Sequence, residues 1–171
     1  MATTLAEVIE AFDNLFTEIH NHNFVKTLRF NEKTEKELLP LIRFYLLGYF
    51  NNLEAESHIE FEPEQSGRID FIIDNVAVEF VAKTSKQANS VLSRNTNEKE
   101  IKKVMSYNGL SLIVLYNFTS AVSDEYVSKV LEEYRRLPAT NNKEKYPFNV
   151  IYFYIDESEE ASYQIINVRV N

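Results

Sequence analysis

Residues 67–83 read Gly67-Arg68-Ile69-Asp70-Phe71-Ile72-Ile73-Asp74-Asn75-Val76-Ala77-Val78-Glu79-Phe80-Val81-Ala82-Lys83. Two short runs of apolar residues flank Asp74-Asn75, a pair that tolerates the positive φ of a tight hairpin turn. Counting outward from that turn sets Ile73 against Val76, Phe71 against Val78 and Asp70 against Glu79. One face of the hairpin is then wholly apolar, from Ile69, Phe71 and Ile73 to Val76, Val78, Phe80 and Ala82. The other carries Ile72, Ala77 and Val81, and also Asp70 beside Glu79. Like charges directly opposed across two strands destabilise a sheet. Apolar neighbours raise that cost, because burial disfavours both anions. A divalent cation held between the carboxylates is the simplest compensation. The plainer alternative is a solvated sheet face, where most Asp and Glu residues lie.

The elements around the hairpin follow from periodicity. Leu5, Val8, Ile9, Phe12, Leu15, Phe16 and Ile19 mark one face of an N-terminal helix, started by a Thr4–Glu7 capping box. His20 and His22 follow its end, where cationic side chains suit the helix dipole, and have no companion ligands for a metal. A second helix over about 34–53 carries another capping box, Thr34–Glu37, and a stripe from Leu38 to Leu53. Pro40 conflicts with that start and implies a helix beginning nearer Leu39 or a kinked first turn. His58–Phe61 reads as a strand before the hairpin. Residues 84–97 are polar and aperiodic, a loop or partly helical crossover. A helix over 98–107 stops at Asn108-Gly109. The apolar run Leu110–Phe118 is a strand buried on both faces. A helix over 124–137, capped by Ser123, and strands over 148–155 and 163–170 complete the chain. The expected architecture is α/β (α+β mixed), a mixed central sheet flanked by helices.

Composition narrows the function classes. The chain has 171 residues, 44% hydrophobic, with only 3 Gly and 4 Pro, so a single domain over 1–171 with no flexible linker is expected. No run of about 18 apolar residues marks a membrane span, and the N-terminus lacks a secretory pattern. With no cysteine there is no thiolate site, and three scattered histidines suit no zinc site, so any metal is a hard, oxygen-liking one. A cytoplasmic setting is expected, and the Asn117-Phe118-Thr119 sequon is then irrelevant. The net charge of −8 argues against broad non-specific nucleic-acid binding and leaves room for a basic protein partner.

The order helix, three strands, helix, strand, with an acidic hairpin in the middle, resembles the PD-(D/E)xK nuclease superfamily, the restriction-endonuclease-like fold. The resemblance covers residues 34–118, with 1–33 (an N-terminal helix) and 119–171 (a helix and two strands) outside the αβββαβ core. It rests on Gly67-Arg68-Ile69-Asp70 through Val78-Glu79-Phe80. It implies that Asp70 and Glu79 hold Mg²⁺ (or Mn²⁺), with an attacking water cleaving a DNA phosphodiester. The segments outside the core are where a dimer interface or a specificity element would sit.

The chain departs from that pattern where the family places its lysine, two residues after the Glu, for that position is Val81. Lys83 is on the same strand face, about 13 Å along the strand from Glu79 at roughly 3.3 Å per residue. Arg68, predicted to face Val81, is a second candidate for the missing cation, and Lys102 or Lys103 on the following helix a third. Without a cation the attacking water and the phosphate lose electrostatic support. Glu37, with Glu35 nearby, is the candidate first-helix acid, although acids are favoured in a first turn regardless. Arg94, Lys99, Lys102 and Lys103 are candidate phosphate contacts, or else an exposed helix face alternating with Glu98 and Glu100. The sequence therefore points first to a divalent-metal-dependent nuclease hydrolysing DNA. The alternative is an inactive nuclease-like fold serving as an acidic protein-binding module, an inhibitor-like protein or accessory subunit.

Overall fold

The computed structural model describes residues 2–20, 28–62, 65–142 and 144–170, so His22 lies outside the described residues. Its elements are α1 (Leu5–His20), a 3₁₀ turn (Phe30–Glu32), α2 (Glu35–Tyr49), β1 (Leu53–Glu62), β2 (Gln65–Ile73), β3 (Val76–Lys83), α3 (Glu98–Ser106), β4 (Leu110–Asn117), α4 (Asp124–Glu133), β5 (Phe148–Ile155) and β6 (Ala161–Val168). They form the mixed α/β architecture expected from the sequence. One six-stranded sheet runs β1-β2-β3-β4-β5-β6. The first three strands pair antiparallel, β3, β4 and β5 pair parallel, and β6 returns antiparallel. Among the described residues no helix is long and apolar enough to cross a membrane.

Each sheet face has its own core. On one side the stripe of α1 (Val8, Phe12, Leu15, Phe16 and Ile19) joins Leu38, Ile42 and Leu46 of α2 over Phe80, Tyr116 and Phe153. The α1 stripe is thus core, with Phe16 edge-on to Tyr116 at 5.0 Å between ring centroids, and Tyr116 donates its hydroxyl hydrogen to the Phe12 carbonyl. Edge-on aromatic pairs of this kind add stability beyond their buried area. On the other side α3 and α4 bury Ile101, Val104, Met105, Val127 and Leu131 against Val81, Leu115, Val150 and Tyr152. His20 donates its Nδ1–H to the Phe16 carbonyl, 2.7 Å away, and stacks near Phe118, a packing role.

Three local differences from the sequence reading have physical reasons. Helix α2 begins at Glu35, with the Thr34–Glu37 capping box formed and Pro40 inside the helix. The box secures the first turn firmly enough that the amide missing at Pro40 is tolerated. Strand β1 is longer than 58–61, pairing with β2 from Leu53 onward, and the small, half-buried Ala55 and Ser57 weaken the alternation that would reveal it in the sequence. Helix α4 stops at Glu133, since residues 134–136 form turns. Helix α3 ends at Ser106 with Tyr107 as its C-cap, and Gly109 beyond it passes close to the hairpin turn: a Cβ there would meet the Tyr107 ring at 2.6 Å and the Asn75 carbonyl at 3.0 Å.

Candidate functional site

The hairpin register is the one counted from the sequence, Ile73 against Val76, Ile72 against Ala77 and Phe71 against Val78. Of the turn pair, Asp74 takes the positive φ, 54°. Beyond Phe71 the ladder ends. The Asp70 carboxylate takes the place of the next backbone bond, with Oδ2 accepting from the Phe80 N–H at 2.8 Å. Strand β2 continues to Gln65 paired only with β1, so β2 and β3 diverge. Glu56, with φ 55°, lies in β1 between the residues that pair with Phe71 and Ile69.

Lys103, from α3, reaches into this divergence. Its ammonium donates to Glu79 Oε2 at 2.6 Å and to the Arg68 carbonyl at 2.8 Å. The Glu79 and Lys103 side chains are 2% and 7% exposed, which makes this a buried ion pair. Of the three N–H donors of an ammonium, two are engaged. Glu79 Oε1 has no hydrogen-bond partner among the described residues although it is buried. Buried polar atoms are almost always satisfied, so an open carboxylate oxygen here is informative.

Two further acids face the same space. A cleft of about 530 Å³ is lined by Glu35, Asp70, Glu79, Glu100 and Lys103, with Gln87, Thr96 and Asn97 from the polar 84–97 segment. Asn97 fastens that segment, donating to the Val91 and Ser93 carbonyls and to Tyr134 Oη. Burial and then the neighbouring Asp70 charge push the Glu35 carboxyl up to about 7, against a hydrogen bond from the Ala82 backbone that favours its charged form. Burial pushes Asp70 up to about 6, opposed by the Phe80 amide and by Lys103. Burial, then Asp70, raise Glu79 well above the ordinary range, and Lys103 pulls the other way. One buried cation is set against several carboxylates, so desolvation and like-charge repulsion prevail.

The structure brings together Asp70, Glu79 and Lys103, and adds Glu35 and Glu100. It does not bring in Lys83, which is absent from the cleft wall. Nor does it bring in the Arg68 guanidinium, which is 67% exposed and pairs with Glu56 at 2.8 Å. Arg68 contributes only its carbonyl. Lys103 belongs to the buried centre and not to an exposed phosphate-contacting face. Arg94 donates to the Arg136 carbonyl and pairs with Glu98, as does Lys102, while Lys99 is exposed. Glu37 is occupied as the cap of α2, and Glu35, two residues earlier, is the acid of the cleft. Glu100 was missed because its alternation with lysines reads as a solvated helix face; its position three residues before Lys103 is the signal that one face carries both.

Among the described residues no three His, Cys, Asp or Glu side chains are grouped to hold a metal ion by themselves. Two carboxylates completed by waters and substrate oxygens are nonetheless what Mg²⁺ commonly takes. The open Oε1 of Glu79 and the raised Asp70 carboxyl fit a hard cation. No family model, curated protein or solved structure matches the chain.

Proposed function

We propose that the chain is a divalent-metal-dependent phosphodiesterase that cleaves DNA in the cleft between β2, β3 and α3, in a cytoplasmic setting. The observation that carries this reading is the Lys103 ammonium, which stands beside Glu79 where Val81 leaves the strand without a cation. The resemblance of the hairpin to the PD-(D/E)xK pattern supplies the reaction class.

Asp70 and the open oxygen of Glu79 are the ligands for Mg²⁺ or Mn²⁺. A bound cation would offset the paired negative charge and acidify the attacking water. Lys103 fixes Glu79 and keeps one N–H for a phosphate oxygen, stabilising the charge that builds there. Glu35, at about 7, is matched to neutral pH as the base that takes the proton from water. The water oxygen bonds to phosphorus, the bond from phosphorus to the sugar oxygen breaks, and that oxygen leaves with a proton from solvent.

The test is cleavage of single-stranded, duplex and branched DNA with Mg²⁺ or Mn²⁺, with Asp70→Asn and Glu79→Gln alongside. Cutting by the wild type and not by either variant is expected; no cutting of any substrate by the folded wild type would refute the reading. One observation favours the second reading, an acidic binding module. Lys103 is tied to two acceptors and nearly buried, as in a structural lock. A stable one-to-one complex with a basic protein, without metal binding, would decide for it.

A further inference from the structure

Helix α2 has a second apolar face. Leu38, Ile42 and Leu46 point into the core, yet Phe44 is 79% and Leu47 49% exposed on the opposite side. With Leu39, Pro40, Ala55 and Phe71 they line a groove of about 800 Å³ between α2 and the β1–β2 ribbon. Large apolar side chains are normally buried in a folded chain, so the exposed pair Phe44 and Leu47 on this wall marks a place where something docks.

Two features identify the occupant. The groove is continuous with the cleft, because Glu35, Lys36 and Asp70 line both. Lys36 and Arg43, seven residues apart and so on one helix face, also line the groove. Neither forms an ion pair among the described residues, whereas Glu56 on the opposite wall is already paired with Arg68. A ligand with a flat apolar face, attached to an anionic backbone that continues to the acidic centre, meets all of these conditions.

We infer that the groove binds an unpaired nucleobase, stacked on Phe44, and that the substrate is single-stranded DNA or a single-stranded segment of a branched one. This deepens the phosphodiesterase reading and rests on it. In a duplex both faces of every internal base are covered by neighbours, so only an unpaired base offers a face to Phe44. Stacking is insensitive to base identity, and Lys36 and Arg43 hold the adjoining phosphates. The polar rim thus sets the path of the strand and the aromatic selects its unpaired state.

The chain contains no tryptophan, so Phe44→Trp introduces a single indole at the point of contact. Titration in EDTA, which prevents cutting, with oligothymidylate should quench that indole, and a blunt duplex of the same length should not. Phe44→Ala should weaken binding of labelled oligothymidylate on the order of tenfold. Lys36→Ala and Arg43→Ala should each lower the slope of log affinity against log salt by about 0.7. Equal quenching by duplex and single strand, or Phe44→Ala binding as the wild type does, would overturn the inference. So would a dimer dispersed by Phe44→Ala with no quenching by DNA, which would assign the groove to a second copy of the chain. Cutting by the wild type without quenching defeats the groove alone. Quenching without cutting of any substrate defeats the cleavage reading alone.

Discussion

The ammonium of Lys103 lies 2.6 Å from Glu79 Oε2, and a helix thereby supplies the positive charge that the strand position Val81 cannot. Removing one member of a buried pair leaves a charge with nothing to offset its lost hydration. Lys103→Met is therefore expected to cost about 3–5 kcal/mol. Replacing both, as Lys103→Met with Glu79→Leu, is expected to restore most of that loss, since two apolar side chains leave no stranded charge. Urea unfolding of the wild type, Lys103→Met, Glu79→Leu and the double variant measures the coupling. Equal losses in the single and double variants would show that packing, and not the ion pair, sets the cost.

The raised carboxyls give the metal-free protein an inverted response to pH. A carboxyl whose folded pKa exceeds its ordinary value holds its proton more tightly when folded, so stability falls as pH rises through that interval. For Asp70 the interval runs from 3.8 to about 6, and for Glu35 from 4.5 to about 7. His20, lowered by burial, acts in the opposite direction near its ordinary 6.5, while Glu7, Glu37 and Asp74 are lowered, so their contribution is already complete above their ordinary 4.5, 4.5 and 3.8. The urea midpoint in EDTA is expected to drop between pH 5 and about pH 8, and Asp70→Asn to flatten the lower part of that drop. A wild-type midpoint that rises across the interval would contradict the burial of these acids.

The hairpin and its facing were legible from residues 67–83 because period-two alternation and a turn pair constrain register strongly. Its end at Phe71 was not, since a carboxylate replacing a backbone acceptor leaves no mark on hydrophobic pattern. The choice of cation was open for a related reason. Lys99, Lys102 and Lys103 look alike in sequence, and which one is buried depends on how α3 rolls on the sheet, set by Ile101, Val104 and Met105 in the second core. The outer groove was hidden because an apolar residue at 44 or 47 is indistinguishable by type from one at 42 or 46.

Glu35 and Glu37 offer a direct contrast. Glu37 accepts from the Thr34 backbone N–H at 2.7 Å and the Thr34 hydroxyl at 2.8 Å, so its work is to start α2. Thr34→Ala should cost about 1 kcal/mol of stability by removing the cap. Glu37→Gln should leave the pH profile of cleavage where it is. Glu35→Gln should instead remove the rise of activity through about pH 7, because it deletes the group that titrates there. The check is kcat/KM against pH for both variants. A profile unchanged in Glu35→Gln would take Glu35 out of the proton transfer.

Cation binding to Asp70 and Glu79 has a readout apart from catalysis. Both carboxyls must lose protons to serve as ligands, and folding that forces them together is relieved when a divalent ion binds. Mg²⁺, Mn²⁺ or Ca²⁺ at about ten times its Kd should therefore stabilise the protein by about 1.4 kcal/mol, following RT ln(1 + [L]/Kd). The gain should be present at pH 8 and largely lost near pH 5, where Asp70, with its pKa raised to about 6, keeps its proton. Thermal unfolding with and without the ion, in the wild type, Asp70→Asn and Glu79→Gln, measures it. A shift of equal size in both variants would place the ion elsewhere on this acidic chain, and Lys103 would then neutralise Glu79 alone.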